Sequence, residues 1–225
     1  MARIMIPELI AELGREEFPR SLLVEVLSRR GYLRPQDCIA SLAAKKVVQR
    51  ISREWFVLGP LWRSRSLHVR WLANQLLLPS TLSLEYALQF HGLIPESAET
   101  FTSVTPRRSR EYRSPAGTFT YARIPEGAFG LGRTLATLPD SMGSTERFFV
   151  ASPEKALADK IWMEDLPSSV DWETYLAEDL RLEESFWIDV NVEELFRFGK
   201  AYGSRKVTAL ASFFTRWKGV NPYGS

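Results

Sequence analysis

The stretch LSLEYALQFHGLIPE, residues 82–96, predicts a short capped helix. Ser83 is a good N-cap, Glu85 lies in the first turn, where the helix dipole favours an anion, and Gly92 supplies a stop. One helical face carries apolar residues and a histidine at i, i+3, i+4 and i+7, namely Leu84, Ala87, Leu88 and His91. We therefore expect this face to pack into a core, with the histidine as a hydrogen-bonding residue and not a catalyst.

A second stretch, ASPEKALAD at residues 151–159, predicts the start of another helix. Ser152 suits the N-cap, Pro153 the first helical position and Glu154 the first turn. A β-prone run at residues 148–150 leads directly into it. Helix capping alone accounts for the residues of this motif.

Between the two stretches the apolar period changes from helical to strand-like. Residues 100–105 and 119–124 alternate with a period of two, and residues 114–117 supply a turn, so we expect a β-hairpin or meander. Four arginines lie between these strands, and only Glu111 offsets them: Arg107, Arg108, Arg110 and Arg113. A solvated loop and a contact with phosphate or RNA both stay open.

In their order and separation, the two stretches resemble the hallmark of the AbiEi family, the antitoxins of bacterial type IV toxin-antitoxin (abortive infection) systems. The resemblance covers residues 80–217 and, more loosely, the module before them; YGSRKV at residues 202–207 resembles the closing helix pair of the family. It implies an antitoxin that represses its own operon at repeated operator sequences, as inverted repeats in double-stranded DNA. It also implies that the second domain counteracts a nucleotidyltransferase-like toxin, AbiEii, encoded beside it.

The amino-terminal residues predict three helices followed by a two-stranded ribbon. The helices are expected at residues 7–13, 20–30 and 35–45, and the ribbon at residues 47–51 and 55–58. This order is typical of a winged helix-turn-helix, in which the helix before the ribbon enters the major groove. Small modules of the same order also mediate protein contacts, so this alternative stays open.

Positions on the third helix and the ribbon supply the candidate DNA contacts. Those expected to face base edges are Arg34, Gln36, Ser41 and Lys45. Those expected to meet phosphates are Lys46, Gln49, Arg50 and Arg53. An ordinary solvated surface is the alternative. Lys46 and Glu54 also stand at turn positions where such wings often carry glycine, so a positive φ there is expected to be unfavourable.

Charge is divided unevenly along the chain. Residues 1–70 hold 13 basic and 7 acidic side chains, whereas residues 154–194 hold 3 basic and 13 acidic ones. This division predicts a polyanion partner for the first part and a different role for the second. Residues 195–225 hold 6 bases and no acid, and they either neutralise the acidic segment or form a second polyanion surface; they include Lys200, Arg205 and Lys206.

The predicted fold class is α+β, with two domains. The expected units are a winged helix-turn-helix at residues 1–62, a connecting helix at residues 63–79 and a mixed α/β antitoxin domain at residues 80–225. The connecting helix is expected to begin near Ser66, and Trp55, Trp62 and Trp71 are expected to seal the junction. Arginines interleave with these aromatics, so a platform for single-stranded nucleic acid is the alternative.

Composition argues against several classes of protein. Cys38 is the only cysteine, which excludes an internal disulfide and fits a reducing cytoplasm, and His68 and His91 are the only histidines. We expect no metal, no cofactor and no catalytic residues. No export signal is apparent, and the longest charge-free run, residues 71–84, has 14 residues, short of the roughly 20 of a spanning helix.

Two enzyme-like patterns fail on spacing. Asp140, Glu154 and Lys155 have the residue types of a metal-dependent PD-(D/E)xK nuclease, but the last two are adjacent and begin a helix. The glycines at 127, 130 and 132 match no phosphate-binding loop and are expected in turns. A transcriptional regulator whose second domain senses a ligand or partner is the main alternative to the antitoxin.

Overall fold

The computed structural model describes residues 5–95, 100–139, 143, 145–167 and 169–220 and has a mixed α+β fold. The α-helices within these residues are Ile6–Leu13 (α1), Arg20–Arg29 (α2), Pro35–Ala44 (α3), Val69–Leu76 (α4), Leu84–Phe90 (α5), Glu126–Phe129 (α6), Pro153–Met163 (α7), Trp172–Thr174 (α8), Glu184–Asp189 (α9), Val192–Tyr202 (α10) and Arg205–Val220 (α11). None of the helices in these ranges is long and apolar enough to span a bilayer. The predicted fold class, α+β, is confirmed.

The strands form two sheets. They are Glu17–Pro19 (β1), Val48–Arg50 (β2), Trp55–Leu58 (β3), Thr81–Leu82 (β4), Thr100–Thr105 (β5), Arg110–Ser114 (β6), Gly117–Arg123 (β7), Arg133–Pro139 (β8) and Thr145–Ala151 (β9). The small sheet has the order β1-β3-β2 and is antiparallel. The large sheet has the order β6-β7-β5-β4-β9-β8 and is mixed.

The amino-terminal module follows the order α1-β1-α2-α3-β2-β3. Gly14 ends α1 with φ +61°, a conformation that costs glycine little, and Pro35 occupies the first turn of α3, where its missing N–H costs no hydrogen bond. The predicted three helices and ribbon are present. The structure also contains β1, whose Phe18 is paired with Phe56 of β3, so that β1 is the third strand of the small sheet.

The predicted hairpin of the second domain is wrong in its strand pairing. Strands β5 and β7 run parallel, and β6 lies outside them, paired antiparallel with β7. The turn at Ser114 and Gly117 therefore joins β6 to β7, and Arg110 and Arg113 belong to a strand and not to a loop. A charged strand is suited to this place because β6 is an edge of the sheet, where charge discourages pairing with another chain.

Both predicted capped helices are present. The Ser152 side chain accepts a hydrogen bond from the backbone N–H of Lys155 (3.2 Å) at the start of α7. Helix α5 begins after Ser83, although that side chain caps nothing, and Gly92 follows its end with φ +71°. His91 lies half-buried with Nε2 2.8 Å from the carbonyl oxygen of Ala151, so its expected hydrogen-bonding role is confirmed.

The apolar pattern of residues 172–182 also predicts one continuous helix, and this prediction is wrong. The structure has α8, then a π-helical turn at Tyr175–Asp179, and then the separate helix α9. Arg181 takes a positive φ of +52°, which right-handed helical backbone does not allow, and so separates the two segments. The two last helices, α10 and α11, are joined at Gly203 (φ +59°), within the 202–207 stretch whose resemblance to a closing helix pair predicts two helices here.

Buried apolar side chains form two clusters. The smaller one lies inside the amino-terminal module and includes Leu9, Phe18 and Leu42. The larger one fills the second domain, yet it also contains Ile51 and Val57 from the amino-terminal module. The assignment of residues 1–62, 63–79 and 80–225 to separate units stays a prediction.

The connecting segment packs against both clusters. Its helix, α4, begins at Val69, three residues later than expected, because the residues before it make specific contacts with buried glutamates. Trp55 and Trp71 meet edge to face with their ring centroids 5.4 Å apart, whereas Trp62 packs on the smaller cluster. The predicted packing between the amino-terminal module and the larger cluster is therefore seen for Trp55 and Trp71, whereas Trp62 packs within the amino-terminal module.

Two buried glutamates of the amino-terminal module hold the residues before α4. Glu16 accepts hydrogen bonds from the backbone N–H (2.9 Å) and the hydroxyl (2.7 Å) of Ser64. Glu17 receives both terminal nitrogens of Arg65, at 2.9 and 2.7 Å, and the backbone N–H of His68 at 2.5 Å. Hydrogen bonds to these two glutamates therefore hold the connecting segment against the amino-terminal module.

A third buried glutamate, Glu146 of β9, holds the start of α4 from the other side. Its Oε1 accepts from the backbone N–H groups of Arg70 (2.7 Å) and Trp71 (3.0 Å), and its Oε2 lies 3.1 Å from Nη1 of Arg70. These N–H groups have no partner within the helix, so a carboxylate at this end is favourable both as a cap and through the helix dipole. The second domain therefore supplies the cap of the connecting helix.

Candidate nucleic-acid interface

A groove separates α3 from the β2–β3 hairpin. The described residues that line it include Arg20, Gln36, Ala40, Ala43, Arg50 and Arg53. Three guanidinium groups and no carboxylate are among those lining residues. This groove, which we call the α3–hairpin groove, therefore attracts anions.

The part of α3 that lines the groove consists of Gln36, the largely buried Ile39, Ala40 and Ala43. Cys38 and Leu42 point into the small core, whereas Ala40 and Ala43 line the groove with side chains of one carbon. Gln36, near the amino end of α3, accepts a hydrogen bond from Nη2 of Arg20 (2.5 Å). Small side chains let another molecule approach the helix closely, and the oriented amide supplies a polar contact at its end.

The hairpin turn is held by Ser52. Its hydroxyl oxygen accepts from the backbone N–H groups of Glu54 and Trp55, both at 3.2 Å, and its carbonyl accepts from Nε of Arg50 (2.9 Å). Arg53 is 88% exposed and lies 3.5 Å from the Glu54 carboxylate. Exposed pairs of this kind contribute little, so Arg53 stays available to a phosphate.

The two positions where glycine was expected behave differently. Lys46 has a φ of +55°, the left-handed conformation that was expected to be unfavourable for a residue other than glycine. Glu54 is not among the described non-glycine residues with positive φ, because the hydroxyl of Ser52 closes that turn with ordinary backbone angles. Of these two positions, only Lys46, just after α3, therefore has a positive φ.

The structure brings only some of the predicted contacts together. Gln36, Arg50 and Arg53 line the groove. The others lie outside its lining: Arg34, Lys45 and Lys46 are exposed, and Ser41 is half-buried. Arg20 was not predicted, although its place as the first residue of α2, where helix N–H groups also attract phosphate, was a usable signal.

Gln49 serves the connecting segment and not the groove. Its Oε1 accepts from Nη2 of Arg63 (3.1 Å), and Nε of the same arginine donates to the carbonyl of Leu58 (2.7 Å). Burial lowers the pKa of the Arg63 guanidinium, while the charges of Glu16 and Glu17 oppose this. The predicted phosphate contact at Gln49 is thus engaged within the protein.

The arginines between residues 107 and 113 form an exposed cationic edge. Arg107 and Arg108 precede β6, and Arg110 and Arg113 lie on it. Arg113 is paired with Glu111 through its Nε. Because β6 is an edge strand, protection of the sheet edge accounts for this charge as well as a polyanion does.

The cations of the last two helices divide between two roles. Lys206 donates to the backbone carbonyls of Trp162 (3.4 Å) and Glu164 at the carboxyl end of α7, and Lys218 donates to that of Val190 (2.8 Å) at the end of α9. Cations are favourable at these helix ends, so these two lysines are engaged with the backbone of the acidic segment. Lys200 and Arg205 are exposed.

The two opening motifs meet at one buried carboxylate. Asp159 of α7, 0% exposed, accepts a hydrogen bond from the Ser83 hydroxyl (2.6 Å). Its other oxygen contacts Nζ of Lys155 and the hydroxyl of Tyr202, and the lysine lies 2.9 Å from that hydroxyl. We call these four residues the Asp159 cluster.

The Asp159 cluster is closed to solvent. Lys155 is 1% exposed, and burial lowers its pKa while the neighbouring carboxylate opposes the change. Burial and the same carboxylate raise the pKa of Tyr202. Gly132 (φ +61°) lies directly over the lysine, since a Cβ there would stand 2.7 Å from the Cβ of Lys155. No substrate can reach this cluster in the described conformation.

The nuclease residue set is not assembled in the described structure. Lys155 is enclosed as above, and Oε1 of Glu154 accepts from the backbone N–H of Asn191 (3.1 Å). Asp140 lies outside the described residues. Among the residues that are described, no group of three or more histidine, cysteine or carboxylate side chains is placed to hold a metal ion.

A scan against models of known protein families finds none that matches this chain, and a search of curated proteins finds no similar sequence.

Proposed function

We propose that the protein is a DNA-binding repressor whose amino-terminal module is a winged helix-turn-helix. In this proposal α3 is the recognition helix and the β2–β3 hairpin is the wing. The observation that carries it is the α3–hairpin groove, in which three arginines converge beside a helix face of alanines. The element order α1-β1-α2-α3-β2-β3 supports the same assignment.

The groove offers both kinds of contact that a DNA-binding module needs. Arg20, Arg50 and Arg53 suit phosphate oxygens, which supply most of the affinity. The amide of Gln36 is able to bond the edge of an adenine, and arginine is able to bond a guanine. Alanines at 40 and 43 leave room for the base pairs.

Replacing two exposed groove arginines tests the DNA-binding proposal. We expect Arg50→Ala with Arg53→Ala to weaken binding to a duplex from upstream of the protein's own gene. The salt dependence should flatten by about 0.9 in log-log slope for each lost phosphate contact, or about 1.8 in all. Fluorescence anisotropy across a salt series measures both quantities.

Arg29→Ala with Arg123→Ala is the matched control, since it removes the same charge from exposed positions outside the groove. An unchanged slope in the groove variant, or an equal loss in the control, would remove the winged-helix assignment.

We further propose that the second domain makes the protein an antitoxin of a type IV system. The resemblance of residues 80–217 to the AbiEi family is what supports this proposal. The toxin is then an AbiEii-like nucleotidyltransferase encoded by the adjacent gene, and both proteins work in the cytoplasm. The proposal requires no cofactor and no catalytic residue in this chain.

The full chain carrying Arg50→Ala and Arg53→Ala separates the two roles. Expressed with the adjacent gene product from independent promoters, it should still protect cells, because those substitutions leave the second domain intact. Loss of protection together with DNA binding would mean that repression alone explains the effect. If neither the unchanged protein nor the variant protects the cells, the alternative is favoured, namely a regulator whose second domain senses a ligand or partner.

A further inference from the structure

A cleft at the junction of the two parts of the chain collects cationic side chains from both. We call it the junction cleft; the described residues that line it include Arg15, Arg65, His68, Trp71, Thr145 and Arg147. Arg15 follows α1 in the amino-terminal module, and Arg147 lies on β9 of the large sheet. The cleft is separate from the α3–hairpin groove and shares no lining residue with it.

The positive charge of the junction cleft is only partly balanced. Glu17 is the carboxylate among its described lining residues, and both of its oxygens are engaged by Arg65 and by the backbone N–H of His68. Arg15 and Arg147 are exposed, and within the described part of the chain neither forms an ion pair. Two uncompensated guanidinium groups therefore face one cleft.

This arrangement fits a small oxyanion. A guanidinium presents a planar fork of N–H donors that matches phosphate oxygens, and two guanidinium groups that line one cleft suit such a group. The exposed hydroxyl of Thr145 offers a further donor. We propose that the junction cleft binds a small phosphate-bearing ligand between Arg15 and Arg147.

The position of the cleft distinguishes this ligand from operator DNA. Strand β3 runs from the hairpin turn to the cleft: the carbonyl of Glu54 accepts from the backbone N–H of Arg20 (2.7 Å) at one end, and that of Glu16 accepts from Leu58 (2.8 Å) at the other. Arg15 is next to Glu16, so the cleft lies at the end of β3 away from the hairpin turn. The ligand site does not depend on the DNA-binding proposal.

Inorganic phosphate is the probe for this site. Calorimetric titration of the full chain at constant ionic strength should show saturable binding of phosphate that chloride does not reproduce. Arg15→Ala and Arg147→Ala should each weaken the affinity at least about tenfold, because each removes charge-assisted hydrogen bonds. Arg147→Lys should weaken it less, since the charge stays and only the planar fork is lost.

Two control variants make the result decisive. Arg123→Ala removes an exposed charge outside the cleft and should bind phosphate as the unchanged protein does, whereas Arg50→Ala tests whether the anion lies instead in the α3–hairpin groove. Absence of saturable phosphate binding overturns the proposal. So does loss of phosphate binding in Arg50→Ala, which would place the anion in the groove. Weaker DNA binding by Arg147→Ala without any phosphate binding would make the cleft a DNA contact, which also overturns it.

Discussion

Replacing Asp159 with alanine should destabilise the fold by about 4–6 kcal/mol. The carboxylate is fully buried and is the acceptor for three groups: the Ser83 hydroxyl, the Tyr202 hydroxyl and the Lys155 ammonium. Its removal leaves a buried cation without its counter-ion and two buried hydroxyls with fewer acceptors. Breaking a buried ion pair from one side typically costs about 3–5 kcal/mol.

The ability of Lys155 to lose its proton limits this cost. Neutralising a lysine of ordinary pKa 10.5 at pH 7 costs about 5 kcal/mol at about 1.4 kcal/mol per pH unit, which agrees with the range for the broken pair. A hydroxyl left without an acceptor adds about 1 kcal/mol or more. The total is a large fraction of the about 5–15 kcal/mol that stabilises a typical domain.

Urea unfolding followed by tryptophan fluorescence measures the effect. The double variant Asp159→Ala with Lys155→Met should be at least about 2 kcal/mol more stable than Asp159→Ala alone, because the unpaired cation is gone. If the single variant fails to fold, recovery of a cooperative transition in the double variant provides the same comparison. A cost below about 1 kcal/mol for Asp159→Ala, or no recovery in the double variant, would refute the reasoning.

Two further predictions concern buried groups of the second domain. Burial raises the pKa of Tyr121 above its ordinary value of 10, so its contribution to stability is complete below pH 10 and is lost as pH rises beyond it. Between pH 10 and 12 the unfolding free energy of Tyr121→Phe should therefore fall less steeply than that of the unchanged protein, by about 1.4 kcal/mol per pH unit; equal slopes would contradict this. Gly132→Ala should cost about 2–4 kcal/mol in thermal or urea unfolding, because a left-handed φ of +61° is combined with a Cβ 2.7 Å from that of Lys155. Gly31→Ala, with φ +81° and open space around it, should cost only about 1–2 kcal/mol, and equal losses in the two variants would rule out the steric part.

Local signals predicted helix boundaries well. Gly14 and Gly203 take the left-handed conformation that ends a helix, and Ser152 with Pro153 begins one. Each of these depends on residues a few positions apart, so the sequence alone contains the information.

Pairing between distant strands was not predictable in the same way. Strand β1 has three residues and exists because β3 lies beside it, and in β6, with the sequence Arg-Glu-Tyr-Arg-Ser, only Tyr112 is of the β-branched or aromatic type that local propensity favours in a strand. Strands β5 and β7 are parallel neighbours because β6, which lies between them in the sequence, pairs with the other edge of β7. Strand propensity depends on such neighbours more than helix propensity does, which accounts for the misplaced hairpin.

The candidate groove was predictable in part for the same reason. Gln36, Arg50 and Arg53 were identified from their places on α3 and the hairpin, which are set locally. Arg20 reaches the groove from the start of α2, and Gln49 is drawn to Arg63 of the connecting segment. The positions of Arg20 and Gln49 depend on how separate elements pack, and residue spacing in the sequence does not indicate that packing.

The glutamates that hold the connecting segment make the chain difficult to divide. A cut within residues 63–80 would leave Glu16, Glu17 or Glu146 buried without the N–H groups and cations that now neutralise them, and a cut after residue 62 would also remove Ile51 and Val57 from the larger core. Uncompensated buried carboxylates are costly, so the two parts should melt in a single cooperative transition. Joining either part to a different domain would then require that the glutamates and the connecting segment be transferred together.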